Sequence, residues 1–249
     1  MTTFSHRDQA LLQRWEKGEV SESDLEELLA TEDLKEPIGD VIPFMQDIGA
    51  AANLYELDDY AVFGGYATLA HLADVYGRNI ASKWRGSDDL DIWGNSELRH
   101  MITSIYDVQS EKRNTNFAKK WRIDIYTSKD VDHTKTLHID YNEGGVRQQK
   151  EEIEFYGVPV NVFSAPAMIG TKAHLTNIGK HEADVWNLLG VCEQKGIEPA
   201  EIARNVPESN RTSLKQYLHE KRGSERIDLG PGRSYQLSLM DVLSDYRNL

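Results

Sequence analysis

RGSDDLDIW, residues 85–93, combines residues that favour a buried strand with three aspartates. In an extended strand alternate side chains share a face, so Asp89 and Asp91 point to one side while Leu90 and the other apolar residues face the core. The Cα atoms of the two aspartates would lie about 6–7 Å apart, which lets both carboxylates reach ions held between them. Because burying unpaired carboxylates is costly, this stretch predicts a divalent-cation site.

A second motif precedes it, AVFGGYATLAHLADVYG, residues 61–77. It predicts a short buried strand, a tight turn at Gly64 and Gly65, and a helix that starts near Tyr66 and ends at Gly77. Strand, two glycines and helix leave bare backbone N–H groups and the positive end of a helix dipole where a phosphate can bind. On its own this signal is weak, since two glycines before a helix often form only a turn.

Composition limits the classes of protein to which the chain can belong. Its 249 residues suffice for one large domain or two smaller ones. The lack of an apolar run of membrane-spanning length, the N-terminal sequence and the single Cys192 predict a cytoplasmic protein with no membrane partner. The net charge of −13 argues against sequence-independent coating of nucleic acid but not against a local basic groove. Two basic islands stand out: Lys112, Arg113, Lys119, Lys120 and Arg122, then Arg204, Arg211, Lys215, Lys221, Arg222 and Arg226.

The order of predicted elements indicates three parts. Residues 1–50 read as a helical extension in which Pro37 and Pro43 break the pattern, residues 51–165 as an α/β core, and residues 166–249 as a mainly helical region that completes the site. Strands are expected at YAVF, DLDIW, WRIDIYT, TLHIDY, EEIEFY and VPVNVF, the last two joined as a hairpin across Gly157. The chain therefore predicts an α/β (α+β) fold with a mixed sheet flanked by helices.

In combination, the two motifs resemble the nucleotidyltransferase superfamily with the polymerase-beta-like fold, whose pattern is Gly-Gly and then R-x-S-x-D-h-D-h, with h apolar. The matching residues are Gly64, Gly65, Arg85, Ser87, Asp89 and Asp91. The resemblance implies that the two aspartates and a third on a neighbouring strand bind Mg²⁺ or Mn²⁺. It also implies that the glycine turn, with Arg85 and Ser87, binds the triphosphate of an NTP, from which NMP passes to an acceptor hydroxyl as pyrophosphate leaves.

Residues 158–189, VPVNVFSAPAMIGTKAHLTNIGKHEADVWNLL, narrow this resemblance to the abortive-infection (AbiEii-like) nucleotidyltransferases. Lys172 and Asp184 fall on that group's lysine and later aspartate, although His181 replaces the aspartate that usually follows the basic residue. The resemblance implies that Lys172 contacts phosphate and that Asp184 either orients it or acts as a base. It also suggests a toxin or phage-defence component with an RNA acceptor, such as a tRNA end, and a cognate antitoxin protein.

As a phosphate contact, Lys172 is expected to matter more for nucleotide binding and turnover than for folding, whereas a lysine without the family motif would more often lie on a solvated helix face. Its replacement by alanine should therefore change stability by no more than about 0.5 kcal/mol, as for an ordinary surface substitution.

The third carboxylate has two candidates, Asp124 and Asp140. Each follows the same alternation, which places the aspartate on the face opposite the apolar residues of its strand. Asp124 is favoured because its strand is the next one expected along the chain after Asp89 and Asp91, and strands adjacent in sequence usually pair. Asp140 leads into the turn-like sequence at residues 142–145. The family resemblance also puts the third aspartate on the strand that carries Asp124.

Two other classes of function stay open. The acceptor is a protein side chain in one, which makes the chain a protein-nucleotidylating enzyme. In the other, the chain is a non-catalytic module that binds a nucleotide or a partner protein, and the intact aspartate pair argues against this.

Overall fold

The computed structural model describes residues 6–29, 38–84, 86–87, 89–106, 108–113, 120–126, 136–146, 148–176, 179–221 and 229–244. The helices in this part of the chain are α1 (His6–Glu16), α2 (Glu22–Leu29), α3 (Ile38–Leu54), α4 (Gly64–Tyr76), α5 (Ser96–Ile105), α6 (Ala165–Lys172), α7 (Gly179–Gln194), α8 (Pro199–Asn205), α9 (Glu208–Glu220) and α10 (Arg233–Ser244). The strands are β1 (Tyr60–Phe63), β2 (Asp89–Gly94), β3 (Val108–Arg113), β4 (Lys120–Tyr126), β5 (Thr136–Glu143), β6 (Lys150–Phe155) and β7 (Val158–Phe163).

The strands form one seven-stranded sheet in the order β3-β4-β5-β2-β1-β7-β6. Neighbouring strands are antiparallel except for two parallel pairs, β2 with β5 and β1 with β7. The predicted α/β class with a mixed sheet and flanking helices is therefore confirmed. The sequence prediction missed β3, whose polar composition gives no clear apolar alternation.

Alternation fixes the two faces of the sheet. Leu90 and Ile92 of β2 are fully buried, as are Ile123 of β4 and Ile139 of β5, which lie on the same face of their strands. Asp89 and Asp91 are therefore on the opposite face, which we call the carboxylate face. The register of paired strands carries this assignment across the whole sheet.

The hairpin between β6 and β7 turns at Tyr156 and Gly157, as the sequence predicts. Phe155 pairs with Val158, so the loop has two residues, and both have positive φ, 49° at Tyr156 and 80° at Gly157. Positive φ at both positions is the geometry of the tight turn that matches strand twist. Only the glycine adopts it without a steric cost.

The N-terminal helices differ from the prediction at Pro43. This residue lies inside α3 and does not break it, whereas Pro37 lies outside the described residues. An internal proline costs about 3 kcal/mol. In α3, burial of Val41, Ile42 and Met45 around the proline offsets that cost.

The described part of the chain begins with the helix α1 and ends with the helix α10, and the division into three parts stays a prediction. None of the helices in the described ranges is long and apolar enough to cross a membrane. Cys192 is a free, buried thiol in α7.

Candidate metal and nucleotide site

Three carboxylates converge on the carboxylate face. Because β2 and β5 run parallel with Asp91 opposite Asp140, the side chains of Asp89, Asp91 and Asp140 share one small area. One oxygen from each carboxylate lies within 4.8 Å of the others, and all three residues are partly buried. The structure thus brings the predicted pair together with a third acid.

Asp124 does not lie beside the pair. The strand β5 runs between β4 and β2, so Asp124 on β4 is two strands away from Asp89. The assumption that the strand of Asp124 pairs with β2 is wrong. The strand β4 pairs with β3 on one side and with β5 on the other, and β5 is the strand that pairs with β2. Periodicity could not reveal this, because a non-local pairing decides which aspartate stands next to β2.

Asp124 has a different environment. Its carboxylate accepts a hydrogen bond of 2.6 Å from the Ser110 hydroxyl and lies 2.6 Å from the His138 Nδ1. Burial acts to raise the pKa of Asp124, but these hydrogen bonds outweigh it and hold the pKa below its usual value. Asp124 is therefore a satisfied anion that orients His138.

Asp91 is the least satisfied of the three converging carboxylates. Burial raises its pKa to about 7, and the neighbouring charges of Asp89 and Asp140 add to this effect. Two ammonium groups, those of Lys120 and Lys172, act in the opposite direction. The Lys120 Nζ lies 2.7 Å from Asp140 Oδ2.

The glycine turn abuts Asp91. Phe63, the last residue of β1, pairs with Asp91, and α4 starts at the next residue, Gly64. Gly64 has a φ of 74°, and a Cβ built on it would lie 2.0 Å from Asp91 Oδ2. Glycine is therefore required here both by conformation and by space. Phe63, the residue before α4, makes no side-chain cap hydrogen bond to the first backbone N–H groups of the helix.

The loop before β2 positions Asp89. The Ser87 hydroxyl donates a hydrogen bond of 3.1 Å to Asp89 Oδ1, and the Tyr66 hydroxyl donates one of 3.1 Å to the Ser87 carbonyl. This connects the first turn of α4 to the start of β2. Arg85, which was expected to bind the nucleotide, lies outside the described residues.

Lys172 and Asp184 form a buried ion pair. The Lys172 Nζ donates to Asp184 Oδ2 at 2.6 Å, with Lys172 only 6% and Asp184 0% exposed. The expectation that Lys172 can be replaced like an ordinary surface residue is wrong, because the last turn of α6 packs against α7 and encloses the side chain. The full burial of Asp184 favours its orienting role over that of a base toward an acceptor.

Comparison by sequence finds no relative, since no protein-family model and no characterised protein matches the chain. Comparison by structure finds distant likenesses. An antigenic nucleotidyltransferase-like protein from Paracoccidioides brasiliensis is 11% identical, with a TM-score of 0.45 over 74% of this chain and 89% of that one. The nucleotidyltransferase toxin MenT4 from Mycobacterium tuberculosis is 11% identical, with a TM-score of 0.43 over 84% and 89%. The antibiotic-resistance factor ANT(2″)-Ia is 17% identical, with a TM-score of 0.42 over 73% and 97%. Likenesses this distant assign no function.

The raised pKa of Asp91 predicts a pH dependence of stability in chelator-treated protein. Between the usual pKa of 3.8 and the raised value of about 7, the folded state holds a proton that the unfolded state has lost. The contribution of Asp91 to the free energy of unfolding therefore falls as pH rises through this window. Urea denaturation of wild type and Asp91→Asn should show the steeper decline in the wild type. Parallel curves for the two proteins would contradict this environment for Asp91.

The buried pair predicts a large effect of Lys172 on stability. Lys172→Met should lower the free energy of unfolding by about 3–5 kcal/mol, because it removes the ammonium that pairs with the buried Asp184 carboxylate. The double variant Lys172→Met with Asp184→Leu should recover most of that loss, since it removes both charges. Denaturant titration of the two variants measures the difference. Equal stability of single and double variants would mean that the two side chains are not coupled.

Proposed function

We propose that the protein is a nucleotidyltransferase that moves NMP from an NTP to an acceptor hydroxyl and releases pyrophosphate. One observation carries the proposal: three carboxylates converge directly against a glycine turn that starts a helix of 13 residues. The carboxylates suit divalent cations, and the start of the helix suits phosphate. Few other chemistries need both features in contact.

The residues present fit Mg²⁺ or Mn²⁺. Carboxylate oxygens are the ligands that these hard cations prefer, and three of them lie within 4.8 Å of one another. Burial, together with the charges of Asp89 and Asp140, raises the pKa of Asp91 although Lys120 and Lys172 act in the opposite direction, so a bound cation would favour the ionised carboxylate. A bound divalent cation would stabilise the charge that develops on the transferring phosphoryl group. Asp89, Asp91 and Asp140 would hold it, so Asp140 takes the role that was expected of Asp124.

The other side chains bind and orient the NTP. Gly64 and Gly65 at the start of α4 receive the phosphates through backbone N–H groups. Ser87 holds Asp89 at its Oδ1 atom and fixes the carboxylate for ligation. Lys172, oriented by Asp184, supplies positive charge on the side of Asp91. In such transfers positioning and charge neutralisation provide most of the catalysis.

We propose RNA, such as a tRNA end, as the acceptor and a toxin or phage-defence component as the physiological role. The support is the resemblance of residues 158–189 to the abortive-infection group, together with cationic side chains near Asp140. A cognate antitoxin protein belongs to the same proposal. Incubation with each labelled NTP and Mg²⁺, against total RNA and against total protein, distinguishes RNA from protein acceptors.

Cation and NTP binding should stabilise the fold. Mn²⁺ with a saturating NTP should raise the melting temperature of the wild type by about 5–10 °C, as ligand at 100 times its Kd adds about 2.7 kcal/mol. Asp89→Asn with Asp91→Asn should lose most of this rise, measured by differential scanning fluorimetry. Asp58→Asn with Asp241→Asn is a control of equal charge change at exposed sites and should keep it. An undiminished rise in the first variant would contradict the metal assignment.

The corrected third ligand gives a test of activity. Asp140→Asn should lower NMP transfer at least a hundredfold, because it removes one of three converging carboxylates. Asp124→Asn should lower it by no more than about tenfold, since its carboxylate contacts Ser110 and His138 outside the cluster. Transfer of labelled NMP, with circular dichroism to verify folding, measures both. The reverse order of effects would return the third ligand to Asp124.

A further inference from the structure

A small cavity of about 170 Å³ adjoins the third carboxylate on the carboxylate face. It is lined by Lys120, Trp121, Arg122 and Asp140. Its two cationic side chains come from β4, the strand next to Asp140 on the side away from β2. The cavity has the charge and the position of a second anion site, and its interpretation rests on the proposed nucleotidyltransferase function.

The cavity and the glycine turn lie on opposite sides of β2. Gly64 contacts Asp91 from the β1 side, whereas Asp140 and the cavity lie on the β5 side. Phosphates of an NTP bound at the start of α4 are thus separated from the cavity by the width of the metal cluster. An anion in the cavity therefore belongs to the second substrate, the acceptor.

The positive charge continues outward along one row of the sheet. Strand register places Asp91 opposite Asp140, Asp140 opposite Arg122, and Arg122 opposite Lys112 of β3. Neighbouring strands lie about 4.8 Å apart, so Arg122 and Lys112 follow the cluster in consecutive steps on the same face. In a chain with a net charge of −13, two successive cations next to three carboxylates are not an effect of bulk composition.

Lys120 is paired with one of the three converging carboxylates, Asp140. Its ammonium lies 2.7 Å from Asp140 Oδ2 and is about one-third exposed. A divalent cation on Asp140 would compete with this contact, since both occupy carboxylate oxygens, and Lys120 would then be available to an anion in the cavity. Arg122 lies 3.4 Å from Asp124 and is 55% exposed, which leaves guanidinium N–H groups accessible from solvent.

We propose that this cavity binds a phosphate group of a nucleic-acid acceptor strand through Lys120 and Arg122, with Lys112 next to the following phosphate. The site would bind the acceptor through its phosphate backbone and not through its bases, because contacts to phosphate fix the register and orientation of a nucleic-acid strand on the protein. A protein acceptor has no phosphate to place there.

The test measures the affinity of the protein for a fluorescein-labelled single-stranded oligoribonucleotide of about twelve nucleotides, in the presence of Mg²⁺ and without NTP. Lys120→Met with Arg122→Gln should weaken binding at least about fivefold, and should reduce the slope of log K against log salt by about 1.4, as two phosphate contacts are lost. The matched control is Lys215→Met with Arg204→Gln, an equal charge change at exposed residues of the second basic island. It should bind within about twofold of the wild type, with an unchanged slope.

Each outcome bears on the proposal. If Lys120→Met with Arg122→Gln binds the oligonucleotide as tightly as the wild type, the phosphate cavity is overturned and a protein acceptor is favoured. If the control variant weakens binding by the same factor, the phosphate cavity is overturned as well. If the double variant does not fold, Arg122→Gln alone gives the same reading, with a slope smaller by about 0.7. The melting-temperature rise with Mg²⁺ and NTP is measured on the same proteins. No rise in the wild type contradicts the proposed function, whereas a rise with unchanged oligonucleotide binding contradicts the cavity alone.

Discussion

Mutual repulsion among Asp89, Asp91 and Asp140 is the constraint on which the rest of the site depends. Three carboxylates within 4.8 Å of one another destabilise the fold unless other groups hold them there. The pairing of β2 with β5 holds the carboxylates in place through the opposite face of the sheet, where Leu90 lies opposite Ile139 and both are fully buried. Burial of apolar side chains on one face of the sheet therefore holds like charges together on the other.

This arrangement also explains why the register between paired strands, more than the spacing of residues along the sequence, brings the carboxylates together. A slip of one residue between β2 and β5 would turn Asp140 to the apolar face and separate it from Asp91. The antiparallel pairing of β1 with β2 imposes a second limit, because it puts Phe63 opposite Asp91 and so places the glycine turn against the carboxylate. Two independent pairings thus locate one side chain, Asp91, and its raised pKa reflects how tightly they enclose it.

What could be predicted from the sequence is what depends on local pattern. Alternation in DLDIW gives the shared face of Asp89 and Asp91, and the two glycines mark the transition from β1 to α4, although the helix starts at Gly64 and not near Tyr66 as expected. The identity of the third acid depends on which strand enters between β4 and β2, and no local pattern carries that information. The same holds for Lys172, whose burial depends on Asp184, twelve residues away on another helix. A lysine on a short helix reads as solvated until its partner is known.

The two lysines near the carboxylates differ in their ion-pair partners. Lys172 is held by Asp184 in a buried pair, so its position does not depend on what binds at the carboxylates. Lys120 is paired with Asp140 itself and is about one-third exposed, so its position does. A fixed cation suits a group that must be oriented in the same way at every turnover, and an exchangeable one suits a group that arrives and leaves. The rigid cation lies on the helical side of the cluster and the exchangeable one beside the outer strands. Under the proposed function the site is therefore asymmetric, with the NTP between the glycine turn and Lys172 and the acceptor on the side of β4.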